Sequence, residues 1–325
     1  MSGCSGNYNL DNLTLVNDPR YPRWLATDTL QTNQTSGISF LHTDKNGIKY
    51  FLLADDIGAL HLLSIKNDTI FSVRNIKLSD EFKSYLKNFP KADFEAIEFD
   101  KAGNSFLLSI EGNEPAPEES TVILELKFND QLYPDSLISF KELKIQPGQD
   151  FKKYIAANTC FEGIAADSRY IYLGLEGFVT DRLFADSTLL FIVDKNSLEI
   201  KRTISTKSLN IGTITGLVSD EDLSLWGIDR NSKNIFRLRL NSDLNIIEKK
   251  LFKVETHIPN YDSFDYVASL EAITLDNEKN IYLVDDPWWR FFIPDEEILK
   301  NLDSITVSRF RKYTPVIYRL HSVKQ

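Results

Sequence analysis

Two cysteines, four histidines and one methionine are all that the 325 residues hold of the side chains that most often bind soft metals or do thiol chemistry. Cys4 and Cys160 cannot make a disulfide framework, and the histidines have no metal-ligand spacing, so the sequence offers no zinc site of the usual kind. His42, His61, His257 and His321 also give no serine or cysteine nucleophile a matched partner, and structural roles are expected for them. No run of about 18 apolar residues occurs. The chain lacks a glycine-rich phosphate loop ending in Lys-Ser or Lys-Thr, a Gly-x-Ser-x-Gly elbow and a His-Glu-x-x-His helix. Positive charge is scarce as well: 37 basic residues stand against 47 acidic ones, a net charge of −10. That balance disfavours nucleic acid or an anionic membrane as a partner and suits small cations or basic ligands.

What the sequence does hold is a repeat. Phe161-Glu162-Gly163-Ile164, followed by Tyr170-Ile171-Tyr172-Leu173-Gly174-Leu175-Glu176, recurs as Phe94-Glu95-Ala96-Ile97 with Phe106 to Glu111, and as Leu270-Glu271-Ala272-Ile273 with Ile281 to Asp286. Two further copies open at Ser36-Gly37-Ile38 and Thr215-Gly216-Leu217. Taking Ile38, Ile97, Ile164, Leu217 and Ile273 as equivalent, the intervals are 59, 67, 53 and 56 residues. A strand-built repeat of this length describes an all-β propeller. With 42% hydrophobic residues and no low-complexity tract, 9–325 reads as one domain behind a tail at 1–8.

Each copy has the same grammar: an apolar strand, a turn such as Lys45-Asn46-Gly47, then a β-branched and aromatic strand ending in Asp or Glu. Third strands are expected at 60–65, 121–127, 188–193, 234–240 and 315–321, and fourth strands at 70–78, 138–145, 198–205 and 246–254. The last copy runs out of chain after its third strand, and 9–16 at the other terminus is the expected replacement. That closure gives five blades and leaves no unpaired edge. A six-bladed ring is the alternative and needs a hidden copy within 17–35 or 287–314. Antiparallel order puts the long connections 79–93, 112–120, 146–160, 177–186, 255–269 and 287–314 on one face, where function is expected. Short helices are expected behind Ser79 and at 294–302, and the aromatics Trp288, Trp289, Phe291 and Phe292 are expected to pack their loop.

The repeat also brings five side chains to the mouth of the channel: Ser36, Glu95, Glu162, Thr215 and Glu271. Three carboxylates converging in a narrow funnel repel one another, so the site needs protons, basic partners or a cation. An all-oxygen set with three negative charges suits a hard divalent ion, and Ca²⁺ rather than the stricter Mg²⁺. The alternative is a hydrated funnel whose acids pair with Lys or Arg from the loops. A second acidic layer ends the second strands, with Asp55, Asp56, Glu111 and Glu176 as candidate catalytic groups. Arg182, Arg230 and Arg290 lie near it in sequence, and a planar guanidinium suits an anionic substrate.

These motifs, in this order over about residues 36 to 290, resemble the phytase-like family, also called "esterase-like activity of phytase". The ring Ser36, Glu95, Glu162, Thr215 and Glu271 is also similar to that of the calcium-activated nucleotidases (apyrases). Those are five-bladed propellers whose axial Ca²⁺ is held by a Ser, Glu, Glu, Ser, Glu series. Asp55-Asp56 resembles their acidic pair, whereas the basic pattern of their nucleotide pocket is not evident here. The resemblance implies a propeller with an axial Ca²⁺ and chemistry at the same mouth. Three functions stay open: a Ca²⁺-dependent phosphoester or phosphoanhydride hydrolase, a non-catalytic surface propeller binding a ligand or protein, and a lactone or carboxylic ester hydrolase. Ser2-Gly3-Cys4 with the small polar residues after it is similar to the end of a bacterial lipoprotein signal. It implies a protein of the bacterial cell envelope, lipid-anchored or periplasmic, that meets the membrane only through a lipid on Cys4; the alternative is a cytoplasmic protein, and a monomer is expected in either case.

Overall fold

The computed structural model describes residues 13–27, 30–157, 159–177, 187–261, 266, 268–287 and 293–324. Mostly apolar runs of five to nine residues cannot bury themselves as lone strands, so the chain pairs each run with the next. Five antiparallel sheets result, set round one axis as a five-bladed β-propeller. From the axis outwards, blade 1 has Thr35–Thr43, Lys49–Asp55, Ala59–Lys66 and Thr69–Asn75. Blade 2 has Phe94–Asp100, Ser105–Ile110, Val122–Phe128 and Leu137–Glu142. Blade 3 has Phe161–Ala166, Tyr170–Leu175, Leu189–Asp194 and Ile200–Ser205. Blade 4 has Gly216–Glu221, Ser224–Asp229, Asn234–Leu240 and Ile246–Lys253.

Blade 5 is closed by the other end of the chain. Leu270–Leu275, Ile281–Asp285 and Val316–Lys324 are completed on the outside by Leu13–Asn17, which pairs antiparallel from Leu13 opposite Lys324 to Asn17 opposite Leu320. The short strand Arg23–Trp24 adds to the same sheet. Asp18, just past the closing strand, is fully buried and takes hydrogen bonds from Arg20 and His321, with Arg319 as a further ion pair. Burial alone would raise its pKa; these donors instead hold its carboxyl well below the usual range. The ring is thus locked by ladder and charge together, without the sixth copy of the alternative.

The core follows from this plan: five apolar clusters fill the five gaps between adjacent blades. Phe82, Phe94, Phe106 and Phe128 lie between blades 1 and 2, for example, and Tyr172, Ile192, Ile214 and Phe236 between blades 3 and 4. Near the axis the blades come so close that a side chain no longer fits. A Cβ on Gly37 would lie 2.9 Å from the Ile97 nitrogen, and one on Gly216 would lie 2.8 Å from the Glu271 carbonyl oxygen. That is why the residue after each ring position is Gly or Ala.

Two local expectations change. The fourth strands stop before 76–78 and 143–145, although Ile76, Leu143 and Ile145 stay buried; single hydrogen bonds to Leu60 and Ile123 carry the chain off the ladder. The helix behind Ser79 spans Asp80–Leu86, with the Ser79 hydroxyl accepting from the Phe82 N–H at 3.1 Å. Instead of one helix at 294–302 there are two, Glu296–Leu299 and Ser304–Arg311, each capped by an aspartate, Asp295 and Asp303. Trp288, Trp289, Phe291 and Phe292, together with Cys4 and the tail, lie outside the described residues.

Candidate functional site

The end of the channel where the innermost strands begin is here called the upper mouth. At four of the five ring positions the first strand carries a β-bulge: its register with the second strand shifts at Ser36, at Glu95 and Ala96, at Glu162 and at Glu271. A bulge adds one residue against the partner strand and re-aims its side chain. Blade 4 reaches a similar place without a bulge, because Thr215 stands just before its strand and its N–H bonds the Ile228 carbonyl at 3.3 Å. All five ring residues are buried.

A second ring lies one residue past the ends of the second strands. Asp56, Glu111, Glu176 and Asp286 are equivalent by their backbone: each N–H bonds the carbonyl of the residue two before the ring position of its own blade, namely Gln34, Asp93, Cys160 and Ser269. In blade 4 the same place holds Arg230. This separates two aspartates that the sequence left together. Neighbouring strand residues face opposite sides, and Asp55 turns away from the rings: Thr35, the Asn33 N–H and His61 occupy its oxygens at 2.7 to 2.9 Å. Asp229 and Asp285 are taken up in the same manner, by the Gly212 and Ser232 N–H groups and by Tyr266 and the Val316 N–H. As a candidate catalytic group Asp55 therefore has no oxygen lacking a donor, whereas Asp56 does.

Arg230 also differs from expectation. Its guanidinium bridges Glu176 of blade 3 and Glu271 of blade 5. Burial would lower its pKa, but Glu271, Glu162 and Glu176 around it push it up, so it is a fixed cation within the rings. A substrate would have to displace those carboxylates to reach it. Arg182 and Arg290 lie outside the described residues. The basic group that the sequence did not single out is Lys91, half exposed, 2.7 Å from Asp93 and 3.2 Å from Asp56.

Cations at the mouth are too few for the carboxylates gathered there. The Glu162 Oε2, Glu176 Oε2, Asp56 Oδ1 and Asp286 Oδ1 atoms are buried with no hydrogen-bond partner among the described residues. Glu95 has no described donor to its carboxylate either, although only 9% of it is exposed. Burial, then the neighbouring acids, push Glu95, Glu111, Glu162 and Asp286 well above the usual carboxylate range. Asp56 is pushed up to about 6, with burial raising it and Lys91 opposing. In two places one oxygen from each of three carboxylates lies within 4.8 Å of the others: Asp93, Glu95 and Glu111, and again Glu111, Glu162 and Glu176. Such buried acidic clusters are fit to bind a metal ion. The groups are joined across the two rings, however, and not round the first ring alone: Thr215 spends its hydroxyl on the Leu270 carbonyl at 2.9 Å, and Glu271 is held by Arg230 and by Ser269 at 2.7 Å. Ser36 is buried beside them but belongs to neither cluster.

Asp93 could have been found from sequence by its place two residues before a ring position, where a carboxylate is unusual in the other copies. Cys160 sits at the same place in blade 3 and is inert: it is buried, hydrogen-bonded to Thr121 at 3.0 Å, and its thiol is pushed up to about 12.

No protein-family model matches the chain, and no curated protein matches it. Among solved structures, glutaminyl cyclase from Myxococcus xanthus is similar with a TM-score of 0.51 at 9% identity, over 95% of this chain and 97% of that one. The PQQ-bound form of aldose sugar dehydrogenase from Streptomyces coelicolor has a TM-score of 0.49 at 10% identity, over 96% and 99% of the two chains. A luciferin-regenerating enzyme has a TM-score of 0.46 at 13% identity, over 92% and 95%. At 9% identity the likeness to the glutaminyl cyclase extends to the fold alone; the chain is a five-bladed β-propeller with a carboxylate-lined mouth.

Proposed function

We propose that this protein is a Ca²⁺-dependent hydrolase of phosphoric esters or anhydrides that works at the upper mouth, in line with the phytase-like resemblance of its motifs. The observation that carries this reading is the set of buried carboxylate oxygens at Glu162, Glu176 and Asp56 that lack any described donor. Left to themselves such groups cost several kcal/mol each. An oxygen-only donor set of this kind suits Ca²⁺, with Glu111, Glu162 and Glu176 as its protein ligands. When bound, the ion supplies Lewis acidity at a phosphoryl oxygen.

The chain's own residues have separate tasks in this reading. Asp56 keeps one oxygen without a donor, and its carboxyl, at about 6, is ionised at neutral pH yet basic enough to take a proton from water. Lys91, half exposed beside it, offers a positive charge to an anionic group entering the mouth. Arg230 fixes the spacing of Glu176 and Glu271 and balances part of their charge.

The test is release of phosphate from a panel of phosphomonoesters, nucleotides and phytate at saturating Ca²⁺. The wild type should be active on at least one of them, with a rate that climbs as Asp56 ionises, at or below about pH 6 because a bound cation favours the carboxylate; Asp56→Asn should lose that limb and at least about 10²-fold in rate. A wild type silent on every phosphorylated substrate, or activity indifferent to Asp56→Asn and Glu162→Gln alike, removes the hydrolase. The second reading, a ligand-binding propeller, is favoured by the engagement of Arg230, and it is what remains in that case. A lipid tether on Cys4 at a bacterial envelope belongs with either reading; an unmodified Cys4 in protein extracted from native membranes would remove it.

A further inference from the structure

We propose that the upper mouth holds two divalent cations that share Glu111 as a common ligand. The proposal rests on the cation reading above and goes beyond it in number and place. Two triads of carboxylate oxygens, each within 4.8 Å, have Glu111 in common: Asp93 and Glu95 on the side of blade 2, Glu162 and Glu176 on the side of blade 3. A calcium ion with ligands at about 2.4 Å spans nearly this separation between oxygens on its opposite sides. A carboxylate has two oxygens and about four lone-pair directions, enough to face two ions at once. One of its oxygens already accepts from the Cys160 N–H at 3.2 Å, which fixes the orientation of the group between the triads.

Each triad also contains a buried acid with an unfilled need. Glu162 and Glu176 are 8% exposed and each has an Oε2 without a donor. On the other side Glu95, 9% exposed, accepts no hydrogen bond from any described residue. Charge counts the same way. The two rings and Asp93 bring together eight carboxylates, Asp56, Asp93, Glu95, Glu111, Glu162, Glu176, Glu271 and Asp286, against the cations Arg230 and Lys91. With all of them ionised, one divalent ion leaves four negative charges unmatched and a second halves that excess. Each built-in cation is bonded to one member of a triad, Lys91 to Asp93 and Arg230 to Glu176, and neither forms an ion pair with Glu111.

Bound Ca²⁺ per chain, measured by equilibrium dialysis, separates the possibilities. The wild type should bind two, with Asp93→Asn and Glu176→Gln each reducing the number and Glu111→Gln weakening both sites at least tenfold. If Asp93→Asn does not fold, Glu95→Gln takes its place, with the circular dichroism of the chelated variant as the check. One ion in the wild type, retained by Asp93→Asn, overturns the pair of sites and leaves the single-cation reading intact. No ion in the wild type removes both. Two ions undiminished in Asp93→Asn, Glu95→Gln and Glu176→Gln would place them elsewhere and overturn the assignment.

Discussion

Both mouths of the channel are acidic, and among the described residues the shortage of donors is concentrated at one of them. At the lower mouth, where the first strands turn into the second, Asp44, Asp100, Asp167 and Asp276 each accept two backbone N–H bonds from their own turn, at 2.7 to 3.1 Å. Lysines add to this: Lys195 lies 2.6 Å from Asp100 and Lys49 lies 2.5 Å from Asp276. Burial works against Asp276, yet Asn280 and Lys49 hold it below the usual carboxylate range. At the upper mouth the bulges turn the carboxylates away from the backbone and towards one another, and their pKa values move the other way. Acidic residues in a ring are therefore no sign of a site by themselves; the sign is that the fold withholds their partners.

The largest expected effect tests the lower mouth as scaffold. Asp167 accepts from the Arg169, Tyr170 and Leu223 N–H groups and from the Tyr172 hydroxyl, and so ties blade 3 to blade 4. Asp167→Ala should lower stability by about 3 to 4 kcal/mol, from several lost hydrogen bonds to a charged group. Urea unfolding should show the same loss with Ca²⁺ and with chelator. A loss confined to the Ca²⁺ form would mean that the lower mouth also senses the ion, and the contrast between the mouths would fail.

The next effect is at the upper mouth and has the opposite sign. With chelator present, the folded chain keeps protons on Glu95, Glu111 and Glu162 that the unfolded chain gives up from about pH 4.5. Stability should fall as pH rises above that value towards their raised folded pKa values. Saturating Ca²⁺ at 100 times its Kd should restore about 2.7 kcal/mol for each ion bound. Glu162→Gln should stabilise the chelated protein at pH 8 and remove most of the Ca²⁺ response. A melting temperature unmoved by chelator in the wild type counts against any tightly bound ion.

The same contrast explains what was legible in the sequence. The repeat made the blades visible because each copy must bury the same faces, and the missing fourth strand of blade 5 pointed to the other terminus. Glu95, Glu162 and Glu271 were legible as a ring because they fill one position of the repeat. Which of Asp55 and Asp56 faces the rings was not, since adjacent strand residues point to opposite sides and a bulge shifts the count by one. Lys91 lies in an inter-blade loop that has no repeat to align it, and Asp93, although two residues before a ring position, has no carboxylate counterpart in the other copies. The capture of Arg230 by Glu176 and Glu271 depends on the close approach of three blades, a distance that no linear spacing encodes. The second helix of 304–311 was hidden because Ile305, Val307 and Phe310 are its few apolar residues and their spacing is too sparse for a helical stripe.

The smallest effect comes from a lower-mouth acid that breaks the contrast. Glu98 points into a cavity of about 280 Å³ at that end of the channel and accepts one hydrogen bond, from Ser39 at 3.1 Å, without the pair of turn N–H groups that its neighbours enjoy. Burial pushes its carboxyl up to about 8, against the opposing Ser39 hydrogen bond. If partner supply decides the behaviour of these acids, Glu98 should follow the upper-mouth pattern despite its address. The folded chain then keeps a proton that the unfolded chain releases near pH 4.5, so this contribution to stability is full below that value and is lost as pH rises to about 8. Water in the cavity reduces the size of the change, and about 1 to 2 kcal/mol between pH 5 and 8 is expected. Glu98→Gln, neutral at every pH, should flatten the stability curve by that amount in chelator and leave the Ca²⁺ response in place. Parallel curves for wild type and variant would show that Glu98 holds no extra proton in the folded chain, and that position along the channel, not the count of donors, sets its charge.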